Sequence, residues 1–130
     1  MKDFTFNKDQ ATRDKLLGIS PDAKYGGGIE SFTGLTAETL RELLEQNFAD
    51  PEDAQNSAPT IGEFLEFMEA HPKFRAFGYA VNSTRSDYRI SIEGCECAKG
   101  ASEKDQRDFT NMFRFADDFK VGRRCHCWYD

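Results

Sequence analysis

Cys95-Glu96-Cys97 and Cys125-His126-Cys127 hold all four cysteines of the chain. A spacing of two puts both thiols of a doublet on one face of an extended strand. Two such strands side by side turn four sulfurs toward one centre, and Zn²⁺ takes four thiolates in a closed, tetrahedral structural site. The 27 residues between the doublets do not match a common zinc-finger spacing. Disulfides, a redox or nucleophilic centre and four inert core thiols are the competing readings. The opening Met1-Lys2-Asp3-Phe4 carries no apolar leader, which predicts a reducing compartment that disfavours bridges. C-x-C also differs from the C-x-x-C of redox folds, and no helix start follows either doublet to activate a thiol. Free cysteine is, however, often simply buried. The expectation is a structural zinc on Cys95, Cys97, Cys125 and Cys127. Alternation sends His126 to the opposite strand face, so it stands only as a substitute ligand.

Other chemistry finds little support. His71 precedes a helix-ending proline, and neither it nor His126 has an evident nucleophile or acid partner in the sequence. Gly26-Gly27-Gly28 lacks the Gly-Lys-Ser/Thr that a phosphate cradle needs, so it reads as a connector. Asn82-Ser83-Thr84 matches a glycosylation sequon, without meaning in a cytoplasmic protein. The chain is read as a binding protein and not as an enzyme.

Charge is unevenly distributed. Between Glu38 and Glu69 lie Glu38, Glu42, Glu45, Asp50, Glu52, Asp53, Glu63, Glu66 and Glu69, against one cation, Arg41. That stretch carries −8 in a chain whose total is −6, which leaves the remainder at +2. Such a run is commonly just a solvated face. Concentrated on two helices and their connection, it also suits a partner whose own surface is built to hold nucleic acid. The same acidity argues against direct nucleic-acid binding.

The elements that must position these groups are legible as patterns. At 130 residues the chain is read as one domain, residues 1–130, with a core dominated by its 12 phenylalanines. Nothing is long and apolar enough to span a bilayer. Asn7 is a candidate cap for a short first helix that ends at Gly18. Thr36 caps a second, with Leu35 and Leu40 as a hydrophobic staple. Thr60 and Glu63 form a capping box for a third, whose Ile61, Phe64, Leu65 and Met68 recur at helical spacing before His71-Pro72 closes it. Phe74 to Val81 and Tyr88 to Glu93 then read as a hairpin. Strict alternation would set Cys95 and Cys97 opposite Ile90 and Ile92, unless Gly94 marks a bulge. Ser102 caps a fourth helix bearing Phe109, Met112, Phe113 and Ala116. A final strand carries Phe119, Val121, Cys125, Cys127 and Tyr129 on one face. The expected fold is α+β: N-terminal helices, then β-β-α-β in a small, mainly antiparallel sheet with a zinc-stapled corner.

Three stretches carry a family likeness: Asn47-Phe48-Ala49-Asp50-Pro51-Glu52-Asp53, Thr60-Ile61-Gly62-Glu63-Phe64-Leu65-Glu66-Phe67 and Gly78-Tyr79-Ala80-Val81. Together with the four-cysteine corner they resemble the zinc-containing type II-A anti-CRISPR proteins of bacterial mobile elements. The resemblance implies an inhibitor acting by occupancy in the bacterial cytoplasm. Its partner would be a type II RNA-guided CRISPR nuclease, whose loading with DNA it blocks. Such a nuclease holds its heteroduplex in a positively charged channel, and an acidic helical face can compete there. A zinc-stabilised adaptor of another pathway is the alternative, and a small metal or thiol enzyme comes third.

Overall fold

The computed structural model describes residues 4–130; Met1 to Asp3, part of the opening read for a leader, lie outside the described residues. Helices α1 (Gln10–Leu17), α2 (Ala37–Glu45), α3 (Ile61–Ala70) and α4 (Glu103–Phe113) accompany strands β1 (Ile29–Leu35), β2 (Arg75–Val81), β3 (Ile90–Cys97), β4 (Asp118–Lys120) and β5 (Cys125–Trp128). The strands form one antiparallel sheet in the order β1-β2-β3-β5-β4. The class is α+β, as the sequence predicts. The β-β-α-β layout is not: two further strands are present.

One addition is β1, which directly follows the Gly26–Gly28 turn and forms the edge beside β2. Its pattern is obscured because only Phe32 and Leu35 of the strand are buried, and a bulge between them breaks the period. The other arises because the predicted last strand is a hairpin, β4 and β5. Val121 lies at its exposed turn, 46 % accessible, and not on the inner face with Phe119 and Cys127.

Local signals fix the helices largely as the sequence predicts. Thr36 accepts from the Thr39 amide, and Leu35 and Leu40 are both buried beside it. Thr60 with Glu63, and Ser102 with Asp105, form capping boxes. The first helix differs. Asp9, not Asn7, accepts from the Thr12 amide, while Asn7 Oδ1 receives the Asp9 amide and its Nδ2 donates to Gln46 O. Asn7 thus ties the chain to the end of α2 and is not the cap.

A single apolar cluster joins the helices to the inner face of the sheet. Its centre is aromatic: Phe109 stacks on Phe74 at 5.4 Å and on Phe119 at 5.3 Å, and Phe64 stacks on Phe113 at 5.4 Å. Burying each such ring contributes about 1.5–3 kcal/mol. Docking of α1 adds a polar hub to the buried Leu17. Arg13, fully buried, donates to Val81 O (2.9 Å), the Tyr25 hydroxyl (3.0 Å) and Asp14 Oδ1 (3.0 Å), with its guanidinium over the Tyr88 ring. Tyr25 in turn donates to Asp14 Oδ2 at 2.7 Å. Each buried polar group is thereby paired, as burial demands.

Candidate metal centre and acidic face

Register decides where the thiols point. In the β2–β3 ladder Gly78 faces Ile92 and Phe77 faces Gly94, so Glu93 is an extra residue on β3. That bulge cancels the expected flip. Ile90, Ile92 and Cys95 face Ala80, Gly78 and Ala76 in turn, alternate residues that share the inner face of β2. Gly94 is required at this step, because a Cβ there would collide with the carbonyl oxygen of Cys127 and the ring of Phe77. Both doublets therefore enter the core, where all four cysteines are buried.

Across the β3–β5 ladder Cys95 is opposite Cys127 and Cys97 is opposite Cys125. Tyr129 donates its amide to Glu93 O at 2.8 Å, which fixes these as hydrogen-bonded pairs with Cα atoms about 5.5 Å apart. The Cys95 and Cys127 sulfurs stand 3.9 Å apart. The other two turn aside: Cys97 donates to Lys99 O and Cys125 to Gly122 O, both at 3.3 Å. No three His, Cys, Asp or Glu side chains converge in metal-holding geometry among the described residues. Burial, and then the neighbouring Cys127, raises the Cys95 thiol well above its ordinary value; burial also raises Cys125. Both shifts run in the opposite direction to that of an activated nucleophile.

His126 lies on the outer face, as alternation predicts. It stacks on Phe77 at 5.3 Å, and its Nδ1 is 3.2 Å from Asp118. It does not face the thiols.

Helices α2 and α3 pack side by side and are tied by a salt bridge from Arg41 to Glu69. Glu38, Glu42, Glu45, Glu52, Glu63, Glu66 and Glu69 are exposed, whereas Asp50 and Asp53 are half-buried. Several have internal roles. Glu63 accepts the Thr60 amide, Glu42 accepts from Gln46, and Asp50 accepts the Glu52 amide. Asp53 is pushed above the usual carboxylate range by burial and then by Asp50, with Arg89 opposing. The α2–α3 connection also has a structural duty. Gln55 donates to Tyr129 O and accepts from Ser91, closing the side of β3 that β5 does not reach.

His71, read as lacking an acid partner, has two. Its Nδ1 meets Asp105 and its Nε2 meets Asp108, both on α4, while the ring stacks on Phe67 at 4.5 Å. Ser102-x-x-Asp105 marks Asp105 as a capping acid in the sequence, but nothing there marks its second contact, to His71. A groove of about 400 Å³ between α3 and α4 runs past this ring, lined by Glu63, Glu66, Asp108, Asn111 and Met112.

No protein-family description, curated protein or solved structure matches the chain.

Proposed function

We propose that the chain is a non-catalytic inhibitor whose α2–α3 carboxylates occupy a basic nucleic-acid groove of another protein. Following the sequence resemblance, that protein is a type II RNA-guided DNA nuclease, and the consequence is blocked DNA loading. The supporting observation is the exposed carboxylate array on two helices held rigid by packing and by Arg41–Glu69. Fixed charge of one sign steers association and discriminates among partners more than it adds affinity. Asp50 and Asp53, turned partly into the fold, leave the binding set.

A structural zinc at the thiol corner belongs to the same proposal. The donor set is four soft sulfurs on one face of two paired strands, and the 3.9 Å between Cys95 and Cys127 suits a tetrahedron with metal–sulfur bonds of about 2.3 Å. Cys97 and Cys125 would complete the set by releasing their bonds to Lys99 and Gly122. Bound zinc would supply cross-linking and no open coordination position.

The test is DNA binding by the guide-loaded nuclease with wild type and with Glu38, Glu42, Glu45 and Glu66 all changed to Lys. Wild type should abolish DNA binding, and the reversed variant should restore it while keeping its melting temperature. Unimpaired DNA binding in the presence of wild type overturns the loading block. Equal inhibition by both proteins makes the carboxylates a solvated surface only.

A further inference from the structure

Strand β1 forms one edge of the sheet and is hydrogen-bonded on one side only. The Asn82 amide donates to Gly28 O at 2.8 Å, and that pair shares the register of Ile29 with Val81 through Phe32 with Gly78. Hydrogen-bonded pairs with β2 therefore fall at Glu30 and Phe32. By alternation Ile29, Ser31 and Thr33 turn their carbonyls away from the sheet, and Ser31 and Thr33 turn their amides the same way. The Ile29 amide is taken by Gly26 O. All three residues are exposed. Edges of this kind are ordinarily blunted by lysine, proline or a covering element. Here the outward residues are uncharged, and the one charge of the strand, Glu30, is half-buried and accepts the Tyr25 amide.

We propose that β1 is a homodimerisation edge, onto which a second copy adds its own β1 antiparallel across a two-fold axis at Ser31. The occupant follows from the edge itself, because this register is self-complementary. Ser31 meets Ser31, Ile29 meets Thr33, and every outward amide finds an outward carbonyl, giving about four hydrogen bonds between copies. Centring the pairing on Glu30 would oppose two carboxylates directly. Centring it on Phe32 would give the same number of bonds through Ser31 with Thr33, but over three residues only, with Ile29 set against the bulge. The bulge between Phe32 and Leu35 ends the ladder at Thr33. One sheet then runs through both copies, with the uncharged Ile29, 39 % exposed, covered at the seam.

Sedimentation equilibrium of the full chain from about 5 to about 500 μM tests this, read with Ser31→Pro and Thr33→Lys. Proline at 31 deletes an amide that β2 does not use, so the intramolecular ladder is spared. The wild type should dimerise, and each variant should raise the dissociation constant about tenfold or more at unchanged circular dichroism. The Ser31 amide should exchange with deuterium more slowly as concentration rises. A wild type that stays monomeric throughout the range, with Ser31 exchanging as an open amide, overturns the proposal. So does a dimer that both folded variants leave intact. If proline unfolds the chain, Thr33→Lys and the amide exchange decide alone.

Discussion

Nδ1 of His71 stands 2.7 Å from Oδ1 of Asp105, and on the other side of the ring Nε2 stands 3.1 Å from Oδ2 of Asp108. One buried imidazole thus ties the end of α3 to the first turns of α4. Carboxylates only accept, so the contact with Asp105 is made by a ring N–H that His71 donates.

Replacing His71 by Phe should therefore destabilise the fold by about 2–4 kcal/mol, although an aromatic ring would still stack on Phe67. The loss comes from stranding Asp105, which is only 14 % exposed. Urea denaturation measures it, and a loss below about 0.5 kcal/mol would show that the ring acts by shape alone.

The same joint sets an acid limit. Burial would push the Asp105 carboxyl up, but hydrogen bonds from the Ser102 amide and from His71 outweigh it, and the group lies below its ordinary value. A depressed folded-state value means that the contribution is fully present above the unfolded pKa of about 3.9 and is lost as pH falls through the lower folded value. Asp105→Asn should flatten this part of the stability profile below pH ~4 and cost stability above it. Denaturation midpoints across that range check the sign.

Asp53 has the opposite sign. Its folded-state value is raised by burial and Asp50, so ionisation opposes folding once pH exceeds the unfolded value. Asp53→Asn should raise the melting temperature at pH 7 and give no gain near pH ~3, where both states are protonated. An equal gain at both pH values would point to packing instead of charge.

Arg13→Met should cost about 3–5 kcal/mol, because it leaves Asp14 buried without its cation and frees Val81 O. The double variant with Asp14→Leu should recover a large part of that loss. Thermal melts of the four proteins of this cycle measure the coupling directly.

Zinc should appear at about one equivalent per chain in protein purified under reducing conditions, and a chelator should lower the melting temperature. Ligand thiols must lose protons to bind, so the metal should be released progressively as pH falls. Metal-free protein with unchanged stability would make the four thiols core residues.

Helix starts were legible because capping is written locally: Thr36, Thr60 and Ser102 each sit beside their amide partners in sequence. The hairpin of β2 and β3 is equally clear, and Gly94 flags the bulge that falls on its neighbour Glu93. What the sequence leaves unmarked depends on distant partners. Neither Arg13 with Val81 nor His71 with Asp105 has any periodic signature, and both look like ordinary solvated residues until the chain closes. β1 is illegible because a bulge breaks its alternation, and β4 because three residues carry too little pattern. At the candidate site, spacing implies that each doublet shares one strand face, while the pairing of Cys95 with Cys127 is set by the ladder register. The turning aside of Cys97 and Cys125 is not implied, because rotamers answer to loop carbonyls that sequence does not place.

Glu93 gives the chain a grammar of length. Because it is the one extra residue between Ile92 and Gly94, everything C-terminal to it on β3 is written in the opposite phase from everything before it. Were Glu93 drawn into the regular pleat, inside and outside would be exchanged from Gly94 onward, sending Cys95 and Cys97 to solvent and Gly94 and Glu96 into the aromatic interior; deleting its codon would instead leave an unbulged strand with the same pairs facing one another and both thiols still inward. A chain lacking Glu93 should therefore keep Cys95 and Cys97 as inaccessible to a thiol reagent as they are in the full-length fold.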